Sequence, residues 1–296
     1  MSANGEDAIV NRLRAALRRV PAVAGIGDDC AAVQGPGRGR LLLLKADCVV
    51  EGRHYRPQDA ASAVGWKAAC RAVSDIAACG GEPRHALVTC VIRGDQGGRW
   101  MDGLYRGIEK AGREFGFYVV GGELARTGGP AVINVSMTGE VLRREFVARG
   151  GGRSGDVLYV TGVLGGSLRS GWHLRFYPRL REARWLVKTV RPSAMMDLSD
   201  GLAADLPRLA SACGAGFVVD SAAIPRRRGV SLGAALSDGE DFELLFAVAS
   251  SKAVRLEKAW ARHFPGLRLT RIGCLARRGV AEGIAAARGY DHFGGA

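Results

Sequence analysis

Four glycines, Gly150, Gly151, Gly152 and Gly155, surround Arg153 and Ser154 near the middle of this 296-residue chain. Such a stretch continues neither a helix nor a strand, so it reads as a junction between two folded halves. The junction falls near residues 143–156, predicting one domain over 1–145 and another over 146–296. Each half is long enough to bury its own core. Within both halves apolar runs at strand spacing alternate irregularly with helical periods. Helices are expected over 6–19, 60–79, 98–115, 179–188, 201–212 and 251–263. Strands are expected over 41–48, 86–92, 117–120, 131–141, 156–161, 216–220, 242–248 and 268–274. The irregular order argues for mixed α+β domains rather than a barrel.

No apolar run approaches the length of a membrane span. The first residues, MSANGEDAIVNRLRAAL, lack the uninterrupted apolar core of a signal peptide. The cysteines number seven, at 30, 48, 70, 79, 90, 213 and 274, with no C-x-x-C pair. They read as reduced, packed thiols in a cytoplasmic protein. The formal charge of +13 comes from 36 Arg and 6 Lys against 29 acidic residues. The basic residues are scattered, and no aromatic interleaving accompanies them, so no nucleic-acid partner is expected.

The acidic residues are the informative set, because they gather in short clusters beside glycines or at the ends of apolar runs. GIGDDCAAV holds Asp28 and Asp29, LLLLKADCVVEGRH holds Asp47 and Glu51 with His54, and AVSDIAACGG holds Asp75. YVVGGELAR holds Glu123, AMMDLSDGLAADL holds Asp197, Asp200 and Asp205, and LSDGEDFELLF holds Asp238 to Glu243. Buried carboxylates need partners or metals. Taken together the clusters predict a site for hard cations, Mg²⁺ above all, shared with phosphate oxygens. A single cluster has a plainer reading: Ser199 or Asp200 suits a helix cap before LAADLPRLA. Neither a G-x-x-x-x-G-K-[ST] loop nor a G-x-S-x-G elbow is present.

In order along the chain, GIGDDCAAV, DCVVEGRHY, GWKAACRAVSDIAACGGEPRHALV, YVVGGELAR, GDVLYVTGVLG, MMDLSDGLAADL and GEDFELLF resemble the motifs of thiamine-monophosphate kinases. That family lies in the superfamily of aminoimidazole ribonucleotide synthetase and selenophosphate synthetase. The resemblance runs from about residue 25 to 293 and ends on GYDHF. It implies a two-domain α+β fold whose N-terminal domains pair in a homodimer, with ATP bound near that interface. It implies transfer of the γ-phosphoryl group of ATP to thiamine monophosphate, a small phosphorylated substrate, with Mg²⁺. Asp29, Asp47, Asp75, Asp197 and Asp200 match the family's metal-binding aspartates, the first three at the reacting centre. Gly121, Gly122, Arg149 and Ser199 match ATP-contacting positions, and His54, Glu240 and Tyr290 match positions near the substrate. Tyr290 suits stacking on a substrate ring or packing of the tail equally well.

The chain departs from the family pattern around the expected metals. Lys45-Ala46 precedes Asp47 where the family has a hydroxyl pair, so a cation stands where a cation would bind. Glu123 replaces the aspartate after the paired glycines, one methylene longer but still a carboxylate metal ligand. Asp238 takes the first place of the usual Gly-Gly-Glu-Asp motif, and GVLGG lacks the aspartate common in that turn. A superfamily paralogue acting on another phosphorylated substrate, or a non-catalytic nucleotide-binding protein, is the alternative that these departures leave open.

Overall fold

The computed structural model describes residues 5–17, 22–284 and 289–290. The end of the GYDHF motif therefore lies outside the described residues. Helix α1 spans Glu6–Ala16. The first half continues with β1 (Ala31–Gln34), β2 (Arg40–Val50), α2 (Ala61–Ala78), β3 (Glu82–Arg93), α3 (Gly98–Phe115), β4 (Tyr118–Thr127) and β5 (Val132–Leu142). The second half holds β6 (Val157–Thr161), α4 (Ser167–Ser170), α5 (Leu180–Thr189), β7 (Ala194–Asp197), α6 (Leu202–Ala212) and β8 (Gly216–Val219). It ends with α7 (Leu232–Ser237), β9 (Leu244–Val248), α8 (Ala253–His263), β10 (Leu269–Ala276) and β11 (Ala281–Glu282).

The strands form two sheets, ordered β1-β2-β5-β3-β4 and β11-β8-β10-β6-β9-β7. The fold is thus mixed α/β with one sheet in each half of the chain. In the first sheet only β3 and β4 run parallel. That pairing carries β4 well past the glycines at which the sequence pattern ends it.

Strand β2 alternates cleanly, which fixes what faces what. Leu41, Leu43 and Val49 are fully buried on its inner side, and Lys45 and Asp47 share that parity. Helix α2 covers this side, packing Val64, Ala68, Val73 and Ile76 into one core with Leu43, Val88 and Val135. The same helix touches α5 and β7 of the second half. It is Ala-rich and buried along most of its length, so polar side chains on it must find partners inside. Its buried polar residues, Lys67, Ser74 and Asp75, together with Arg71, line the seam between the two sheets.

Candidate active site

Three segments deliver carboxylates to one point. Asp29 lies just before β1, Asp75 on the last turns of α2, and Asp197 at the end of β7. One oxygen from each lies within 4.8 Å of the others, and all three residues are buried. The Oδ2 of Asp29 is buried without a hydrogen-bond partner. The Oδ2 of Asp197 accepts from the Ser74 hydroxyl at 2.6 Å.

Protein cations surround this cluster. Arg149 donates from Nη2 to Asp29 at 2.8 Å, while its backbone N–H meets Asp28. Lys45 places Nζ 2.8 Å from Asp75 and 4.0 Å from Asp47. Arg71 grips Asp47 through Nε at 3.0 Å and Nη2 at 2.9 Å. Asp47 is therefore joined to the cluster through Lys45.

The electrostatics follow from this crowding. Burial, with the Asp29 charge adding to it, pushes Asp197 up to about 6. Burial and then Asp29 likewise raise Asp28 to about 6. Burial drives Asp75 well above the usual carboxylate range, against the pull of Lys45. Burial also acts against Asp47, but Arg71 and Lys45 outweigh it and hold that carboxyl below its ordinary value. For Lys45, desolvation is overcome by Asp75 and Asp47, so the ammonium stays charged.

A second group sits beside the first. Glu240 accepts from Lys67 Nζ at 2.5 Å and from Arg71 Nη1 at 3.2 Å. Lys67 is fully buried and also donates to the backbone oxygen of His54. The His54 ring accepts from the Val50 N–H through Nδ1 at 3.0 Å. The Glu240 backbone has φ +61 and Phe242 has φ +51, a region that costs non-glycine residues of order 1–3 kcal/mol. The loop is held there by the Glu240 N–H to Ser199 oxygen bond at 2.6 Å and by Phe242 stacked 3.9 Å from Phe176.

Other expected site residues lie elsewhere. Ser199 and Asp200 donate their backbone N–H groups to the buried Asp205, each at 3.0 Å. Asp200 pairs with Arg208, and its carbonyl accepts from the Tyr290 N–H at 2.9 Å. Glu123 shares a register row with Thr89, Asn134 and Cys48. That row lies on the face of the first sheet opposite Asp47. Gly122 sits in the Asp47 row, where a Cβ would lie 1.9 Å from the Val88 oxygen. Close strand approach alone thus requires that glycine. Gly121 is exposed beside it.

Lys67, Arg71 and Ser74 went unread in the sequence. A signal was present: Lys67, Arg71 and Asp75 recur every four residues and are the charged residues of an Ala-rich helix.

The N-terminal-domain model of AIR synthase related proteins matches residues 27–141. A thiamine-monophosphate kinase of Rhodopirellula baltica is 34% identical, over 96% of this chain and 93% of the relative. A solved structure of AaThiL complexed with AMPPCP and TMP superimposes with a TM-score of 0.85 at 29% identity, covering 99% of this chain and 98% of that one. The thiamine monophosphate kinase of Aquifex aeolicus gives a TM-score of 0.75 at 30% identity, over 93% and 94% of the two chains.

Proposed function

The chain belongs to the thiamine-monophosphate kinase family, and on that premise we propose that it phosphorylates thiamine monophosphate with ATP, yielding thiamine diphosphate and ADP. A phosphate oxygen of thiamine monophosphate attacks the γ-phosphorus in line, and the bond to the β–γ bridging oxygen breaks. The acceptor oxygen is ionised at neutral pH, so the site needs no strong base. Its task is to hold two polyanions together and aligned.

The observation that carries this reading is the convergence of Asp29, Asp75 and Asp197 inside a ring of Lys45, Arg71 and Arg149. The donor set fits Mg²⁺: three carboxylates bring hard oxygens close together, and the Oδ2 of Asp29 is buried and unpaired. Asp29, Asp75 and Asp197 would hold that ion, with Asp47 and Asp200 as further proposed ligands beside it; Glu123, on the opposite face of the sheet, is proposed as a ligand of a separate ion. When bound, Mg²⁺ supplies the charge neutralisation that lets two phosphate groups approach. Arg149 orients Asp29, and Ser74 orients Asp197. We assign Gly121, Gly122, Arg149 and Ser199 to ATP. His54, Glu240 and Tyr290 are assigned to the thiamine phosphate, with Lys67 and Arg71 fixing the Glu240 carboxylate.

We further propose domains over 1–145 and 146–296, and a homodimer formed through the first sheet. The sheet face opposite α2 carries Leu44 and Leu87, 40% and 49% exposed, and the edge strand β4 adds Tyr118, Val120 and Leu124 at 59% or more. A patch of this kind marks an interaction surface. The seven cysteines are free thiols, which suits a cytoplasmic setting.

Release of ADP from ATP and Mg²⁺, measured with and without thiamine monophosphate, tests the reaction. The expected result is turnover that depends on thiamine monophosphate, with kcat falling on the order of 10²-fold or more in Asp29→Asn and Asp75→Asn. Folded protein that binds ATP but releases no ADP with this acceptor overturns the reading.

A further inference from the structure

Lys45 reaches into the carboxylate cluster from the floor of the first sheet. Its Nζ lies at direct hydrogen-bond distance from Asp75 Oδ1, 2.8 Å, and at 4.0 Å from Asp47 Oδ2. Strand parity sends Lys45 and Asp47 to the same side of β2, and the burial of Leu43 and Val49 on that side fixes the register. The side chain cannot turn outward without a one-residue slip of an eleven-pair ladder with β5.

We propose that the Lys45 ammonium is a resident cation of the active site. It takes the position beside Asp75 that a divalent ion would otherwise fill, leaving the Asp29–Asp197 side as the place for Mg²⁺. The inference rests on the kinase reading and deepens it, because it states how this chain divides charge neutralisation between metal and protein.

Three observations support it. First, a divalent ion on Asp75 Oδ1 would have to displace an ammonium already bonded to that oxygen, or bind against it at close range. Second, the local charge is partly balanced. Asp28, Asp29, Asp47, Asp75 and Asp197 face Lys45, Arg71 and Arg149, which leaves two formal negative charges. One Mg²⁺ already cancels them before any phosphate arrives. Third, the open coordination is lopsided. Asp29 keeps one buried oxygen, Oδ2, without a partner while Arg149 holds the other, whereas the Oδ1 of Asp75 is already bonded to Lys45 and Asp47 is held by Arg71. A tethered ammonium also differs from a bound ion in that chelators cannot remove it, and its position is fixed by the strand.

The test counts metal ions on the full chain without nucleotide. Mn²⁺ binding is measured by electron paramagnetic resonance for the wild type, Lys45→Ala, Lys45→Met and Lys45→Arg, alongside circular dichroism and thermal melting. Lys45→Met keeps the apolar stem and removes the charge; Lys45→Arg keeps the charge. The expected result is one extra Mn²⁺ per chain, or binding about tenfold tighter, in Lys45→Ala and Lys45→Met, with Lys45→Arg unchanged. Neutral variants that unfold in chelator and regain native dichroism with Mn²⁺ give the same answer. Equal Mn²⁺ number and affinity in all four folded proteins overturns the proposal, and so do neutral variants that Mn²⁺ does not refold. Turnover of thiamine monophosphate by the wild type is scored separately. Extra Mn²⁺ without any turnover retains the Lys45 assignment and removes the kinase reading; turnover with an unchanged ion count does the reverse.

Discussion

Asp197 answers two opposing demands. As a proposed metal ligand it must be charged, yet burial and the neighbouring Asp29 favour its protonated form and lift it to about 6, while the Ser74 hydroxyl pulls the other way. The folded protein therefore binds this proton more tightly than the unfolded chain does. The resulting stabilisation is complete below about pH 4 and is lost as pH rises through about 6. Asp197→Asn removes the cost of charging. In chelator at pH 7.5 the variant is expected to be more stable than wild type by roughly 1–3 kcal/mol, with the gain vanishing near pH 4. Urea denaturation at the two pH values measures this. An equal or larger gain at pH 4 would show that the effect is packing and not charge. Asp29, Asp75 and Asp197 were legible as acidic residues beside glycines and strand ends. Their cationic partners were harder to see, because Arg71 and Arg149 are two among 36 arginines in the chain. Lys45, one of only six lysines, stood out at once.

At the level of elements, α2 and α3 meet with almost no space between their backbones. A Cβ on Gly65 would lie 1.9 Å from the Leu104 oxygen, and one on Gly107 would lie 2.0 Å from the Ser62 oxygen. Both neighbours are backbone atoms, so a methyl group forces the helices apart. Gly107→Ala is expected to destabilise the protein by about 1–3 kcal/mol, despite its better intrinsic helix propensity. It also lowers kcat, since α2 carries Lys67, Arg71 and Asp75. A urea midpoint at or above that of wild type would contradict the contact. Hydrophobic period was enough to locate both helices within a residue or two. It failed at β4, where Gly121 and Gly122 look like a stop but sit in an edge strand paired to β3 alone. It failed also at β7, four residues too short to register a period. The missed strand is the one that presents Asp197.

Over the whole molecule, one group of the polar contacts that tie the two halves passes close to the proposed site, and another runs through Arg184 to Glu82 and Glu145. Lys67 and Arg71 reach Glu240, Ser74 reaches Asp197, and Arg149 reaches Asp28 and Asp29. None of these pairs is close in sequence, so no local pattern announces them. The ordered motifs gave the overall architecture, whereas the pairing of charges across the seam needed the fold. The open face of the first sheet carries the proposal of a homodimer. Light scattering is expected to give twice the 31.3 kDa chain mass. A double substitution, Leu44→Asp with Leu87→Asp, is expected to give a folded monomer. A wild type of single-chain mass would remove the interface.

Helix α2 contributes Val64, Ala68 and Ile76 to a core shared with Phe176 and Phe242, and Ala77 to another core with Tyr159, Leu186 and Phe246. Its side chains are thus interior to both halves at once. The core of the first half and one of the two cores of the second are incomplete without it, so a single melting transition is expected. A fragment stopping near residue 145 would leave α2 with an unfilled side and Lys67 without its Glu240 partner. Insertions and fusions are best tolerated where the chain leaves this helix alone, at the exposed turn around Arg38.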